Sequence, residues 1–262
     1  MKSQNHKNKI VIANWKMAPE TLSEALKIFS EVKNSSKNLK NTKVVICPSD
    51  IYLSSLIENR RKGKKILFGV QNIFSEEEGA HTGEISIDMM KNLGVEYVIV
   101  GHSERRALGE DDLLISKKVN LVLNSKLNPI LCVGEKERNE EGSFLLFISE
   151  QIKNSLQKVE KKYLKNLIIA YEPIWAIGKT AQDAMDSRGV HQMTLFIKKV
   201  LKDLFDEKIV EKVAILYGGS VELNNAEDLI KNGNVNGFLI GHESLDAGKF
   251  CEILKLVDKN RT

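Results

Sequence analysis

The chain has 262 residues, 42% hydrophobic and 28% charged, which is ordinary for a soluble globular protein and enough to bury a large core. Lys and Arg number 39 against 35 Asp and Glu, a net charge of +4, too mild to argue for nucleic acid but compatible with a few lysines converging on a small anionic substrate. No apolar run approaches the ~18 residues needed to span a membrane, and 6% aromatic residues offer no stacking platform.

Residues 1–9 are polar and lysine-rich, without the apolar core of a signal peptide, and read as a tail. From there short apolar runs alternate with amphipathic stretches. The runs cover 10–13, 44–47, 66–70, 97–100, 129–133, 167–171, 213–217 and 237–240. They are rich in Val and Ile and uniformly apolar, as strands buried on both faces should be. In the first connection Leu22, Ala25, Phe29 and Val32 fall on one helical face, and later Val190, Met193, Ile197, Val200 and Leu204 do the same. Eight strands each followed by a helix, with no linker or break in composition, predict a single α/β domain of (β/α)₈ barrel architecture; an open doubly wound sheet is the alternative. Cys47, Cys132 and Cys251 are odd in number and form no CxxC pair, so they read as buried free thiols of a reducing cytoplasm.

The residues that follow the runs carry the chemistry. They include Asn14 and Lys16, Gln71 and Asn72, His102 to Glu104, Gly134 and Glu135, Glu172, Gly218 to Ser220, and Gly241 with His242. In a barrel all strand C-termini surround one mouth, where active sites of this architecture lie. Glu172 follows an apolar run and precedes Pro173 and a short loop, which suggests a general base under a lid. By itself it reads more readily as a strand-end carboxylate that meets solvent, and its company changes that. His102 directly precedes Ser103 and Glu104, which read as the start of a short helix; that setting disfavours an imidazolium and leaves a neutral donor for a carbonyl. His6, His81 and His191 read as structural. Lys16 beside Asn14 could bind an anion and stabilise developing negative charge. Tyr217-Gly-Gly-Ser220 and Ile240-Gly-His242 suit a phosphate site after the last two strands, or simply two tight turns. Two apparent motifs fail. Gly178-Lys179-Thr180 has Pro173 where a nucleotide P-loop needs glycine, and Gly218-Gly-Ser-Val-Glu222 lacks the final glycine of a nucleophile elbow. There is no metal-ligand cluster and no dinucleotide fingerprint.

Together these segments resemble the triosephosphate isomerase family along nearly the whole chain. The resemblance rests on Asn14-Trp-Lys-Met17, Gln71-Asn72, Thr82-Gly-Glu84, residues 93–106, Cys132-Val-Gly-Glu135, residues 170–181 and Tyr217-Gly-Gly-Ser-Val221. It implies interconversion of dihydroxyacetone phosphate and D-glyceraldehyde 3-phosphate, in glycolysis and gluconeogenesis, without a cofactor or metal. Glu172 would shuttle the proton, His102 would polarise the carbonyl, and Lys16 with Asn14 would stabilise the anionic intermediate. Backbone groups at Gly178, Ser220, Gly241 and His242 would grip the phosphate. Ser103 and a buried Glu104 would support the site, Tyr217 would brace the closed lid, and Thr82 would dock beside a partner's site in a homodimer. A glutamate base working with a neutral histidine under a closing loop is the known chemistry of this family, so these roles are implied by the resemblance.

Three departures are legible. The family lid usually reads Ala-Ile-Gly-Thr-Gly-Lys, whereas here Ala176-Ile-Gly178 runs into Lys179, two residues short. Gly-His-Glu-Ser, 241–244, stands where Gly-Gly-Ala-Ser is expected, and a side chain at 242 makes positive φ costly. Ala18-Pro19 replaces Asn-Gly after Met17. Two other readings therefore stay open: the same chemistry on a four-carbon ketose phosphate, and a non-catalytic sugar-phosphate sensor. Relative kcat/KM on three- and four-carbon phosphates separates the first pair, and turnover excludes the sensor.

Overall fold

The computed structural model describes residues 9–60, 65–139, 141–178 and 184–260. Eight parallel strands close into a barrel in chain order: β1 (Lys9–Asn14), β2 (Thr42–Cys47), β3 (Ile66–Val70), β4 (Tyr97–Val100), β5 (Asn128–Val133), β6 (Ile168–Tyr171), β7 (Ala214–Tyr217) and β8 (Gly237–Ile240). β8 returns to β1 with Val11 opposite Phe238 and Ile12 opposite Leu239. Every predicted run lies within two residues of a strand, and the open-sheet alternative falls. The expected tail lies outside the described residues as far as Asn8. Lys9 opens β1, buried, with Nζ donating to Val235 O at 3.0 Å.

The uniformly apolar strands bury both faces. Ile10, Ile12, Val45, Ile99, Ile130 and Leu216 belong to the cluster that fills the barrel interior. Their neighbours Val11, Val44, Val98, Leu131 and Ile215 belong to the larger cluster under the helices. Alternation along a strand forces this split. Each such side chain contributes roughly 1.5–3 kcal/mol relative to its exposed state.

The helices are α1 (Leu22–Ser36), α2 (Asp50–Arg60), α3 (Ile87–Leu93), α4 (Ser103–Ala107), α5 (Asp112–Asn124), α6 (Ser143–Ser155), α7 (Ser187–Leu204), α8 (Glu207–Val210), α9 (Leu223–Asn232) and α10 (Ala247–Lys259). Ala25, Phe29 and Val32 of α1 and Val190, Met193, Ile197 and Val200 of α7 are buried as their spacing predicts. Leu22 and Leu204, at the outermost positions of those helices, are exposed, because a terminal turn projects past the sheet. Thr21 and Glu24 form a reciprocal capping box that starts α1, worth about 1 kcal/mol. The three cysteines are free and buried, and no helix among the described residues is long and apolar enough to cross a membrane.

A buried charge cluster ties α4 and α5 to the end of β3. Lys118 Nζ donates to Glu110 Oε1 at 2.8 Å and to Asn72 Oδ1 at 2.7 Å, and Arg105 Nε donates to the same Glu110 oxygen at 2.7 Å. Burial alone would push the Glu110 carboxyl up, but the Lys118 and Arg105 hydrogen bonds outweigh it and hold the group below the usual carboxylate range. A carboxyl depressed on folding stabilises the protein above its unfolded pKa, about 4.3, and loses that contribution as pH falls through the lower folded value. Glu110→Gln is therefore expected to cost about 3 kcal/mol at pH 7, the scale of a broken buried pair. The difference from the parent should narrow below about pH 4, where the parent's own carboxylate protonates. Urea unfolding at pH 7 and pH 3.5 checks this; an equal difference at both would show that the charge is not responsible.

Candidate active site

Glu172 is the first residue beyond β6, and the barrel ladder continues through its backbone. Its N–H donates to Val133 O at 2.8 Å, while Gly218 N–H donates to Tyr171 O at 2.8 Å. The residue is thus held between the ends of β5 and β7, and it is only 2% exposed. Two glycines clear the space it needs. A Cβ on Gly134 would overlap the Glu172 carbonyl oxygen, and one on Gly218 would stand 2.9 Å from Glu172 Cγ. Ser103 N–H donates to Glu172 Oε2 at 3.2 Å, and His102 Nε2 lies 3.3 Å from Oε1. The Cys132 thiol lies close by; burial first and then the Glu172 charge push it up, so it stays protonated.

His102 caps α4, and its Nδ1 accepts from Glu104 N–H at 3.2 Å. A ring nitrogen that accepts carries no proton, so the imidazole is neutral with its hydrogen on Nε2, the nitrogen facing Glu172. Lys16 follows β1 with φ 54°, a left-handed conformation that is costly for a side-chain-bearing residue. Neighbouring groups hold it there. Its N–H donates to Asn14 Oδ1 at 3.1 Å, and its carbonyl accepts from Ser49 Oγ at 3.0 Å and from Gln71 Nε2 at 2.8 Å. Lys16 Nζ then reaches Glu104 Oε1 at 2.6 Å.

Lys16, His102 and Glu172 share one cavity of about 380 Å³ at the C-terminal mouth of the barrel. Asn14, Gly178, Ser220, Gly241 and His242 line it too. Ser220 Oγ donates to Ala176 O at 2.8 Å, linking the loop after β7 to the one after β6. His242 starts a short 3-10 turn, 242–245, and keeps a negative φ, so the anticipated backbone cost at this position does not arise. The shortened lid tip at Lys179, and Thr180 beyond it, lie outside the described residues.

The root of the loop after Glu172 is fastened to Glu135. Trp175 Nε1 donates to Glu135 Oε1 at 3.0 Å, Tyr171 OH donates to it at 2.9 Å, and Arg138 Nε donates at 2.8 Å. The Arg138 guanidinium also stands over the Phe144 and Trp175 rings, 4.6 and 5.3 Å from their centroids. Burial and the Glu135 charge push the Tyr171 hydroxyl up, which keeps it a donor.

Comparison with known proteins agrees with this geometry. The family model described as "Triosephosphate isomerase" matches residues 9–257. The chain belongs to the triosephosphate isomerase family. It is 39% identical over 254 residues to the triosephosphate isomerase of Dictyoglomus turgidum, covering 95% of this chain and 99% of that protein. It is 40% identical over 251 residues to that of Endomicrobium trichonymphae, covering 94% and 97%. A Clostridium botulinum (strain Langeland) triosephosphate isomerase is 40% identical over 249 residues, covering 94% and 98%.

Within this family member the expected site residues divide into three groups. Glu172, His102, Lys16, Asn14, Gly178, Ser220, Gly241 and His242 converge on the cavity. Ser103 and Tyr217 stand behind it, and the Tyr217 side chain is fully buried. Thr82 is exposed and is not among the residues lining the cavity. Glu104 requires a correction: its side chain is 59% exposed, not buried. It projects from the first turn of α4 toward Lys16, and nothing described in this chain covers it. His81, near Glu76 at 3.2 Å, and His191, at 3.1 Å from Asn232 O, have structural partners; His6 lies outside the described residues. Sequence reasoning passed over Arg138, Ser49 and the cavity-lining Glu222 and Glu243. For Arg138 the signal was its spacing of three from Glu135; the others carried none.

Proposed function

We propose that this chain interconverts dihydroxyacetone phosphate and D-glyceraldehyde 3-phosphate by moving one proton between neighbouring carbons. The observation that carries the reading is the juxtaposition of a buried carboxylate, a neutral imidazole and a lysine in one cavity, in a chain of this family. Glu172 removes the proton beside the carbonyl and becomes a carboxylic acid. The C–H electron pair forms the carbon–carbon double bond of an enediolate, and the carbonyl oxygen takes up the negative charge. His102 Nε2–H and the Lys16 ammonium stabilise that oxygen, each a preorganised donor of the kind worth about 10²–10³ in rate. Glu172 then returns the proton to the adjacent carbon, while His102 Nε2 gives its hydrogen to the oxyanion and takes the hydroxyl proton from the neighbouring oxygen, so that one oxygen ends as the hydroxyl and the other as the new carbonyl. Backbone N–H groups at Gly178, Ser220, Gly241 and His242 hold the phosphate, and the loop over Glu172 keeps water from the enediolate.

The chain is further read as a homodimer. Glu104, Thr82, Met17 (97% exposed) and Leu108 (76% exposed) lie in connections after β1, β3 and β4, where a second copy would cover them. Three free, buried thiols fit a cytoplasmic location. Sedimentation velocity at micromolar concentration should give twice the chain mass, and a single species of monomer mass would sink the dimer.

Glu172→Ala should lower kcat at least ~10²-fold, the lower end of general-base effects, with a smaller change in KM. Coupled assays in both directions measure it. Turnover of the triose phosphates at the parent rate would show that another group is the base.

A further inference from the structure

The phosphate end of the cavity is richer in titratable side chains than a backbone gripper requires. His242 lines it from the 3-10 turn after β8, and Glu243 lines it from the same turn. Glu222 lines it from the connection between β7 and α9. His242 is exposed, Glu222 is half-buried, and the Glu243 side chain is only 15% exposed. Carboxylates lining a cavity oppose the binding of an anion there by Coulomb repulsion.

The cations nearby are largely committed. Lys16, at the end of β1, is paired with Glu104 at 2.6 Å. Lys249, on the α10 face packed against the 3-10 turn, is paired with Glu243 at 3.4 Å. Glu222 has no ion pair among the described residues. Toward the barrel axis the titratable groups of the cavity are His102 and Glu172, engaged with each other at 3.3 Å. Among the described residues that line the cavity, His242 is therefore the side chain that can add an uncommitted positive charge, and it does so only when protonated. Its turn leaves the backbone unstrained, so a side chain at 242 is accommodated at the cavity without a backbone penalty.

We propose that His242 is a proton-dependent anchor for the phosphate of the substrate, which offsets Glu222 and Glu243 in its cationic form and lets go in its neutral form. The proposal rests on the triose-phosphate reading of the site. It makes residue 242 a determinant of how tightly, and at what pH, a phosphorylated ligand is held. The proton that charges the imidazole comes from solvent, which reaches the exposed ring directly.

Sulfate is the probe, because its charge is constant between pH 5.5 and 8 while that of a sugar phosphate is not. Its dissociation constant is measured by calorimetry for the parent, His242→Gln and His242→Lys. The parent should bind sulfate about five- to tenfold more tightly at pH 5.5 than at pH 8, beyond any change shared with His242→Gln. One charge a few ångströms from a divalent anion near solvent carries about that factor. His242→Lys should bind tightly across the whole range. Thermal melts confirm that all three proteins are folded at each pH. Parent and His242→Gln following one pH curve would overturn the proposal, as would no sulfate binding by any of the three. Triose-phosphate turnover at pH 8 is measured alongside: its absence with a His242-dependent sulfate curve defeats the substrate reading alone, and its presence with identical curves defeats only the anchor.

Discussion

The structure depends most on the way Glu172 is built into the end of the barrel. Its amide is a rung of the β5–β6 ladder and the next rung joins β6 to β7, so its backbone is anchored to both neighbouring strands. Gly134 and Gly218 exist at their positions because the Glu172 backbone and side chain pass where a Cβ would be. A carboxylate buried this deeply is costly unless polar groups face it. Ser103 N–H and His102 Nε2 supply them, and both belong to the start of α4. The reactive end of the site is thus assembled from strand ends, which are rigid, rather than from the longer loops.

Lys16 shows the complementary design. Its left-handed backbone would relax in isolation, and three hydrogen bonds hold it: its N–H donates to Asn14 Oδ1, and its carbonyl accepts from Ser49 and Gln71. These come from β1 itself and from the connections after β2 and β3, so barrel closure and lysine placement are one event. The Glu135 cluster does the same for the loop after Glu172. Tyr171 and Trp175 flank the carboxylate in sequence, and both donate to one buried acid that Arg138 also engages. The base, its electrophilic partner and the root of its covering loop therefore share a common frame.

Much of this was legible in the sequence. Strands buried on both faces announce themselves as unbroken Val- and Ile-rich runs, and the polar residues that follow them had to meet at one mouth. What stayed hidden were facts that arise only where strands cross. The need for glycine at 134 depends on where the Glu172 carbonyl passes, and the left-handed backbone of Lys16 depends on partners 33 and 55 positions away. The burial expected for Glu104 came from the family and not from this chain, whose α4 leaves that side chain half in solvent. Positive φ at His242 was inferred from the glycine it replaces, yet the turn accommodates a side chain. Nothing in the residue pattern marks Glu222 and Glu243 as cavity residues; the fold brings them there.

In the proposed reaction the Glu172 carboxylate carries the proton between the two carbons. Dihydroxyacetone phosphate incubated with the enzyme in D₂O, followed by proton NMR, reads that transfer directly and independently of product release. Deuterium should enter the carbon-bound positions of substrate and product with the parent, and Glu172→Gln should slow this wash-in at least ~10²-fold. Wash-in by Glu172→Gln at the parent rate would contradict it.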